Sequence, residues 1–389
     1  MDFSITEEQQ MLYDLGAKIT AEFDDTYFNQ VIAEHRHPTE YIKRVAEHDL
    51  LGLTIAEEFG GAGLSMVSAA LLTKALCTGS AGMFGGSVLI NGAVFGGAII
   101  SRHGTDEQRA RYLPGIRTGT LWAGAFTEAN SGSNVSNIAV RAVREGDHYR
   151  VNGTKMWISN VEASQQILLL CRTSPMNPER KSEGVSLLVV DLPNDRIQRR
   201  PLEKMGNNHF DTNILFFDDV LVPVENRVGP EGGAWKALYD VLNPERVMIA
   251  ASAVGTGNWV LERAVEQAKV RKVWNDKAIG SHQGVAFPLA EAKIHLECAW
   301  LKVMEAAWLT DQGDPRAASA ATQAKYSAFH AALFAADRAI QTFGGQGYML
   351  ETGVERHFRD LRVGRIAPVP DELVLAYVAH HDLGLPRSY

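Results

Sequence analysis

The chain has 389 residues, 46% of them hydrophobic and 22% charged, a globular composition that excludes a disordered chain and leaves room for two or three domains. A formal net charge of -8 excludes a broad basic surface for nucleic acid, though a local basic pocket for a phosphate-bearing ligand stays compatible with it. Cys77, Cys171 and Cys298 have neither disulfide nor metal spacing, and the N-terminus lacks a basic region followed by an apolar core, so the expected location is a reducing one, the cytoplasm.

Thr6-Glu7-Glu8-Gln9 has the pattern of a capping box and predicts a first helix. A second is expected from Pro38 past Tyr41, Val45 and Leu50 to Gly52, and the glycines of Phe59 to Gly63 read as turn formers, without the strand-then-helix setting of a dinucleotide fingerprint. Ser65 to Cys77 is helical by pattern. Ala81 to Ile100 carries no charge and is nominally long enough to span a bilayer, but its six glycines, Ser87 and Asn91 predict a helix packed inside a protein and no membrane span. Thr105 caps a further helix, expected to end before Pro114.

The hydrophobic period then changes. Leu121 to Thr127, Ile138 to Val143, Tyr149 to Asn152, Lys155 to Ser159, Gln166 to Cys171, Val185 to Val190 and Asn213 to Phe217 read as strands of a compact β domain, with Asn152-Gly153 as a turn. Gly229 to Gly233 forms the hinge back to helices, predicted over Trp235 to Leu242, Pro244 to Lys272, Pro288 to Asp311, Pro315 to Phe343 and Asp371 to Asp382. Helices this long predict an antiparallel bundle. The fold class is therefore α+β, with an N-terminal helical domain at 1–120, a middle β-barrel-like domain at 121–230 and a C-terminal four-helix bundle at 231–389.

Within the bundle, Leu242 to Val247 reads as a helix start: Asn243 as cap, Pro244 at the first position and Glu245 at the second. Two roles for Glu245 follow, a surface anion favoured by the helix dipole or a base held beside a ligand. Phe126-Thr127-Glu128-Ala129-Asn130-Ser131-Gly132-Ser133 is a small-residue loop rich in donors, suited to a phosphate or an oxidised heterocycle. In Lys155-Met156-Trp157-Ile158-Ser159-Asn160, strand alternation puts Trp157 and Ser159 on one face. Phe343-Gly344-Gly345-Gln346-Gly347 is a helix end with a tight turn, and Trp300 and Trp308 read as core.

The order of these pieces, with Arg271 ahead of Gln283, Gln341 to Gly347, and Arg359-Asp360-Leu361-Arg362 near the end, resembles the acyl-CoA dehydrogenases over nearly the whole chain. The resemblance implies FAD as cofactor, an acyl-CoA substrate, α,β-dehydrogenation to a trans-2-enoyl-CoA as in fatty acid β-oxidation, an electron-transferring flavoprotein as acceptor and a homotetramer. It implies that Phe126, Thr127, Trp157 and Ser159 line the isoalloxazine and that Ser133 sits near both flavin and CoA arm. Arg271 and Gln283, with Gln341, Gly344 and Gly345 from a neighbouring subunit, would hold the pyrophosphate and adenosine. Many members carry the catalytic base after the Arg-Asp motif, where this chain has Ile366-Ala367-Pro368-Val369-Pro370 and no carboxylate. The isovaleryl-CoA and long-chain dehydrogenases place it at a Leu-Glu-Arg segment that Pro244-Glu245-Arg246 resembles. Glu245 is thus the expected base, with Asn243 and Arg246 beside the substrate. The rivals are an oxygen-using oxidase on the same scaffold and a flavin-bearing protein without catalysis.

Overall fold

The computed structural model describes residues 4 to 387; the sequence reading of Met1 to Phe3 lies outside the described residues. Seven helices come first: α1 (Glu7–Ala21), α2 (Asp25–Ala33), α3 (Thr39–Ala46), α4 (Met66–Leu76), α5 (Met83–Leu89), α6 (Ile99–His103) and α7 (Asp106–Arg117). Reciprocal capping boxes at Thr6 and Thr105 start α1 and α7 as expected. Helix α2, which hydrophobic pattern alone misses, starts at Asp24, whose carboxylate accepts from the Tyr27 amide. Helix α7 runs through Pro114 instead of stopping before it, and its last turn buries Leu113 and Ile116, a gain that offsets the hydrogen bond lost at the proline.

Between α5 and α6 lies a π-helical segment, Ile90–Ala98, so the uncharged stretch forms one rod from Met83 to His103. Its mean hydropathy of 1.7 would suit a membrane, but 83% of its most apolar window is buried inside the protein, as a core helix requires.

The β domain contains β1 (Leu121–Ala125), β2 (Arg141–Glu145), β3 (His148–Ser159), β4 (Ser164–Arg172), β5 (Val185–Asp191), β6 (Ile197–Pro201), β7 (Thr212–Pro223) and β8 (Arg227–Val228). They form one sheet in the order β6-β7-β3-β2-β4-β5-β8, with β1 paired parallel to β4. Asn152-Gly153 is not a turn: it lies within the continuous β3, where the pairing with β7 shifts register and Gly153 takes φ +138°. A glycine absorbs such a bulge, so one long strand replaces the two expected. Strands β4 and β5 are buried on both faces. Ile167, Leu169, Leu188 and Val190 fill the barrel interior, while Leu168, Leu170, Leu187 and Val189 join the helical core.

The C-terminal region comprises α8 (Ala234–Val270), a hairpin of β9 (Lys272–Val273) and β10 (Lys277–Ala278), then α9 (Gln283–Asp311), α10 (Ala317–Phe343), α11 (Val354–Arg362) and α12 (Asp371–Tyr377). Two predicted helices are here one: α8 passes through Pro244 without ending. A proline in a helix interior leaves the carbonyl four residues earlier without its amide donor. That carbonyl belongs to Asp240, and the Arg102 guanidinium of α6 donates to it at 2.7 Å, while His103 pairs with the Asp240 carboxylate at 3.0 Å. The N-terminal helices thus supply what the proline removes. Helix α10 buries a face made of alanines, among them Ala324, Ala328, Ala332, Ala335 and Ala339, and packs so close to α8 that a methyl on Gly257 would stand 3.1 Å from Ala332. The β domain is pinned to α11 by Asp360, whose carboxylate accepts from the Asn207 amide, and by Arg359, which donates to the Met205 carbonyl at 2.7 Å.

Candidate active site

Glu245 sits in the interior of α8, not in a first turn, so no helix N-terminus stabilises its anion. It is 8% exposed, and burial lifts its carboxyl to about 7, against the pull of the neighbouring Arg246. Asn243 is correspondingly not a cap: its side-chain oxygen accepts from Arg246 at 2.8 Å. Burial draws the Arg246 guanidinium below its usual range, with Glu245 opposing. A carboxyl near neutral pKa in a dry setting can both hold and release a proton at physiological pH.

The Ile366 to Pro370 segment is braced by the buried Asp371 and Lys325. Asp371 pairs with Arg365 at 2.6 Å and His330 at 2.8 Å, and Lys325 donates to the Val369 carbonyl at 2.6 Å. The brace fixes the loop without placing a carboxylate in it.

The flavin-type loop is built from β1 and β3. Lys155, wholly buried, donates to the Phe126 carbonyl and to Glu128, both at 2.9 Å, and Glu128 in turn accepts from the amides of Ala139 and Val140. Glu128 is therefore a structural pin, holding three hydrogen bonds. Thr127 donates to the Met156 carbonyl at 2.6 Å, locking the loop to β3, and Ser159 shares a hydrogen bond with Thr212 at 3.0 Å. Phe126 and Thr127 are half-buried and Ser133 is exposed. Simple alternation fails at Trp157: the pairing slips between Lys155 and Ile158, Trp157 takes φ +63°, and its ring is left 50% exposed. A strained, half-bare indole beside hydroxyls is a surface prepared for a planar ring.

A cavity of about 590 Å³ is lined by Gln267, Val270, Arg271, Phe343, Gly345 and Gln346. Arg271 donates to the Phe343 carbonyl at 2.9 Å, satisfying the C-terminal end of α10, where Gly344 turns the chain at φ +63°. Arg271 and Gly344-Gly345 of one chain thus stand side by side at the end of α10. Gln283 and Gln341 are exposed and do not line the cavity. A guanidinium beside a glycine turn suits a diphosphate, and the aromatic and hydroxyl face of the β domain suits a flavin ring, so the residues present fit FAD.

Sequence reasoning missed Phe95. It lies on the π-helical segment and meets Phe126 edge-on at 5.8 Å. A ring half-exposed in an otherwise buried apolar helix is the only signal, and it needs the fold to be seen.

Three family models match in succession: the acyl-CoA dehydrogenase N-terminal domain over residues 6–120, the middle domain over 123–220 and the C-terminal domain over 232–381. Acyl-CoA dehydrogenase FadE12 of Mycobacterium tuberculosis is 37% identical over 389 residues, covering 100% of this chain and 99% of its own. Among solved structures, glutaryl-coenzyme A dehydrogenase with glutaryl-CoA superposes with a TM-score of 0.93 at 28% identity, covering 99% of this chain and 98% of that one. A chain from the structure described as the electron transferring flavoprotein of Acidaminococcus fermentans gives 0.91 at 28% identity, covering 98% and 100%. The fold and its three-domain order are those of acyl-CoA-oxidising dehydrogenases. The chain belongs to the acyl-CoA dehydrogenase family.

Proposed function

We propose that the protein dehydrogenates an acyl-CoA thioester between C2 and C3 to a trans-2-enoyl-CoA, with Glu245 removing the C2 proton. The observation that carries this reading is a buried carboxyl at about 7 on α8, combined with a braced loop at Ile366 to Pro370 that holds no carboxylate. A thioester C2–H is weakly acidic, so its base must be desolvated and aimed. Burial on α8 supplies the first, and the Asn243–Arg246 hydrogen bond steadies the second while giving the substrate side a fixed cation.

FAD, when bound, accepts the C3 hydrogen as hydride. We assign its ring to Phe126, Thr127, Trp157 and Ser159, with Ser133 between ring and CoA arm, and its pyrophosphate and adenosine to Arg271, Gln283, Gln341, Gly344 and Gly345. In this assignment Arg271 and Gln283 come from one subunit and Gln341, Gly344 and Gly345 from a neighbouring one. We assign reoxidation to an electron-transferring flavoprotein. We also propose a homotetramer, supported by an apolar seam on α9: Phe287, Ile294, Leu301 and Trp308 recur every seventh residue and are 61%, 60%, 52% and 54% exposed. Trp308 therefore belongs to a surface, not to the core as its sequence setting predicts.

Anaerobic titration of FAD-loaded protein with straight and branched acyl-CoAs tests the reaction. Wild type should bleach with a subset of them, and Glu245→Gln should bind the same thioesters without bleaching. Equal bleaching in the variant removes Glu245 from its role, and rapid reoxidation of the reduced protein by dioxygen moves the oxidase reading ahead.

A further inference from the structure

The rod from Met83 to His103 lies antiparallel to α8. A methyl on Gly86 would overlap the Ser252 hydroxyl, and Arg102 reaches the Asp240 carbonyl, so sixteen residues of the rod run against twelve of α8. Glu245 lies seven-twelfths of the way along that span, level with about residue 95 if side chains project alike. Phe95 in turn touches the flavin-type loop through Phe126, so its level is the level of the reacting carbons.

From Met83 to Ile100 every residue is buried except Ser87, Phe95 and Ala98, and Ser87 and Phe95 share a face with Asn91, four residues from each. At the Arg102 end the rod reaches solvent. At the Ser87 end exposure falls to partial, with the adjoining Gly86 packed against Thr73 of α4 and Ser252 of α8. A CoA nucleotide needs the open end, which directs the acyl terminus past Phe95 toward Asn91. Asn91 is 7% exposed, its amide hydrogen-bonds to no other described residue, and it is not among the polar atoms sealed from open space. Ser87, by contrast, spends its hydroxyl on the Met83 carbonyl at 3.3 Å. An amide that reaches open space without a protein partner is left to solvent, which a ligand group can replace by pairing with it.

We propose that Asn91 is a specificity residue that selects an acyl group bearing a neutral hydroxyl or carbonyl oxygen beyond C4. This rests on the dehydrogenase reading above, since it uses the level of Glu245 to locate C2. The four residues from Phe95 to Asn91 lie in the π-helical segment and span about 5 Å along its axis, or about four carbon–carbon bonds of extended chain. Neutrality follows from the amide, which offers donor and acceptor but no charge, and from Arg102, which lies at the far end of the rod and is engaged with Asp240.

The test compares hexanoyl-, 5-hydroxyhexanoyl- and 6-hydroxyhexanoyl-CoA. With wild type, kcat/KM for a hydroxylated thioester should exceed that for hexanoyl-CoA by about tenfold, the worth of one matched hydrogen bond. Asn91→Leu should reverse the order, and Asn91→Ser, which keeps a hydroxyl, should retain part of it, with bound FAD reporting that both variants fold. Calorimetric Kd values of the same three thioesters for Glu245→Gln read the preference without turnover. Equal kcat/KM and equal Kd, with bleaching intact, overturn the role of Asn91 alone. A preference in Kd with no bleaching by any thioester in wild type upholds Asn91 and removes the dehydrogenase reading.

Discussion

A carboxyl at about 7 is half ionised at neutral pH, so the rate should depend on pH in a direction fixed by the role of Glu245. As a base it works only when ionised. In the proposed reaction kcat/KM rises with pH through about 7 and levels above it, and Arg246→Met, which removes the one charge pulling that carboxyl down, should move the midpoint upward. The same burial has a cost for stability. A carboxyl whose folded pKa exceeds its unfolded value contributes fully below about 4.3, and that contribution is lost as pH rises through 7, a loss of about 4 kcal/mol. Thermal unfolding from pH 5 to 8.5 should therefore show Glu245→Gln gaining on wild type as pH rises, with the two converging at the acid end. A variant curve parallel to wild type would mean that Glu245 is not desolvated. Sequence made Glu245 a candidate, but for a reason the fold removes: its setting is a helix interior, and burial acts without a helix terminus to oppose it.

At the scale of elements, the continuous α8 depends on a donor from another domain. Arg102→Met should cost about 1–3 kcal/mol by leaving the Asp240 carbonyl unpaired, and the loss should shrink when Pro244→Ala restores the backbone amide. Urea unfolding of the two single variants and the double variant measures that coupling; additive losses would show that Arg102 does not compensate for the proline. This is also where sequence reading reaches its boundary. Pro244 looks like a helix start because a proline fits there, and nothing local discloses that Arg102, far back in the chain, fills the gap. Capping boxes at Thr6 and Thr105, by contrast, are wholly local and read correctly. Bulges behave like Pro244: Asn152-Gly153 has turn chemistry, and only pairing with β7 turns it into a strand interior. The out-turned Trp157 and the half-bare Phe95 were illegible for the same reason, since each is defined by what stands across from it.

At the scale of the molecule, the helix-sheet-helix order was legible because hydrophobic period changes twice along the chain. How copies associate was not, since exposure of a seam is known only once the other face of its helix is packed. If the α9 seam joins copies, Leu301→Asp should lower the mass seen by sedimentation and weaken FAD retention, while an unchanged mass would place the interface elsewhere. The alanine face of α10 has a different kind of consequence. A core of leucines is damaged by shortening, but alanine leaves almost nothing to shorten, and the backbones already approach to within a methyl of one another. Substitutional tolerance along this helix should therefore be one-sided, with glycine and serine accepted at Ala328, Ala332 and Ala335 and every larger residue rejected. Over generations such a surface can drift only among small residues, so the face of α10 should stay the same while the residues that meet the acyl group change.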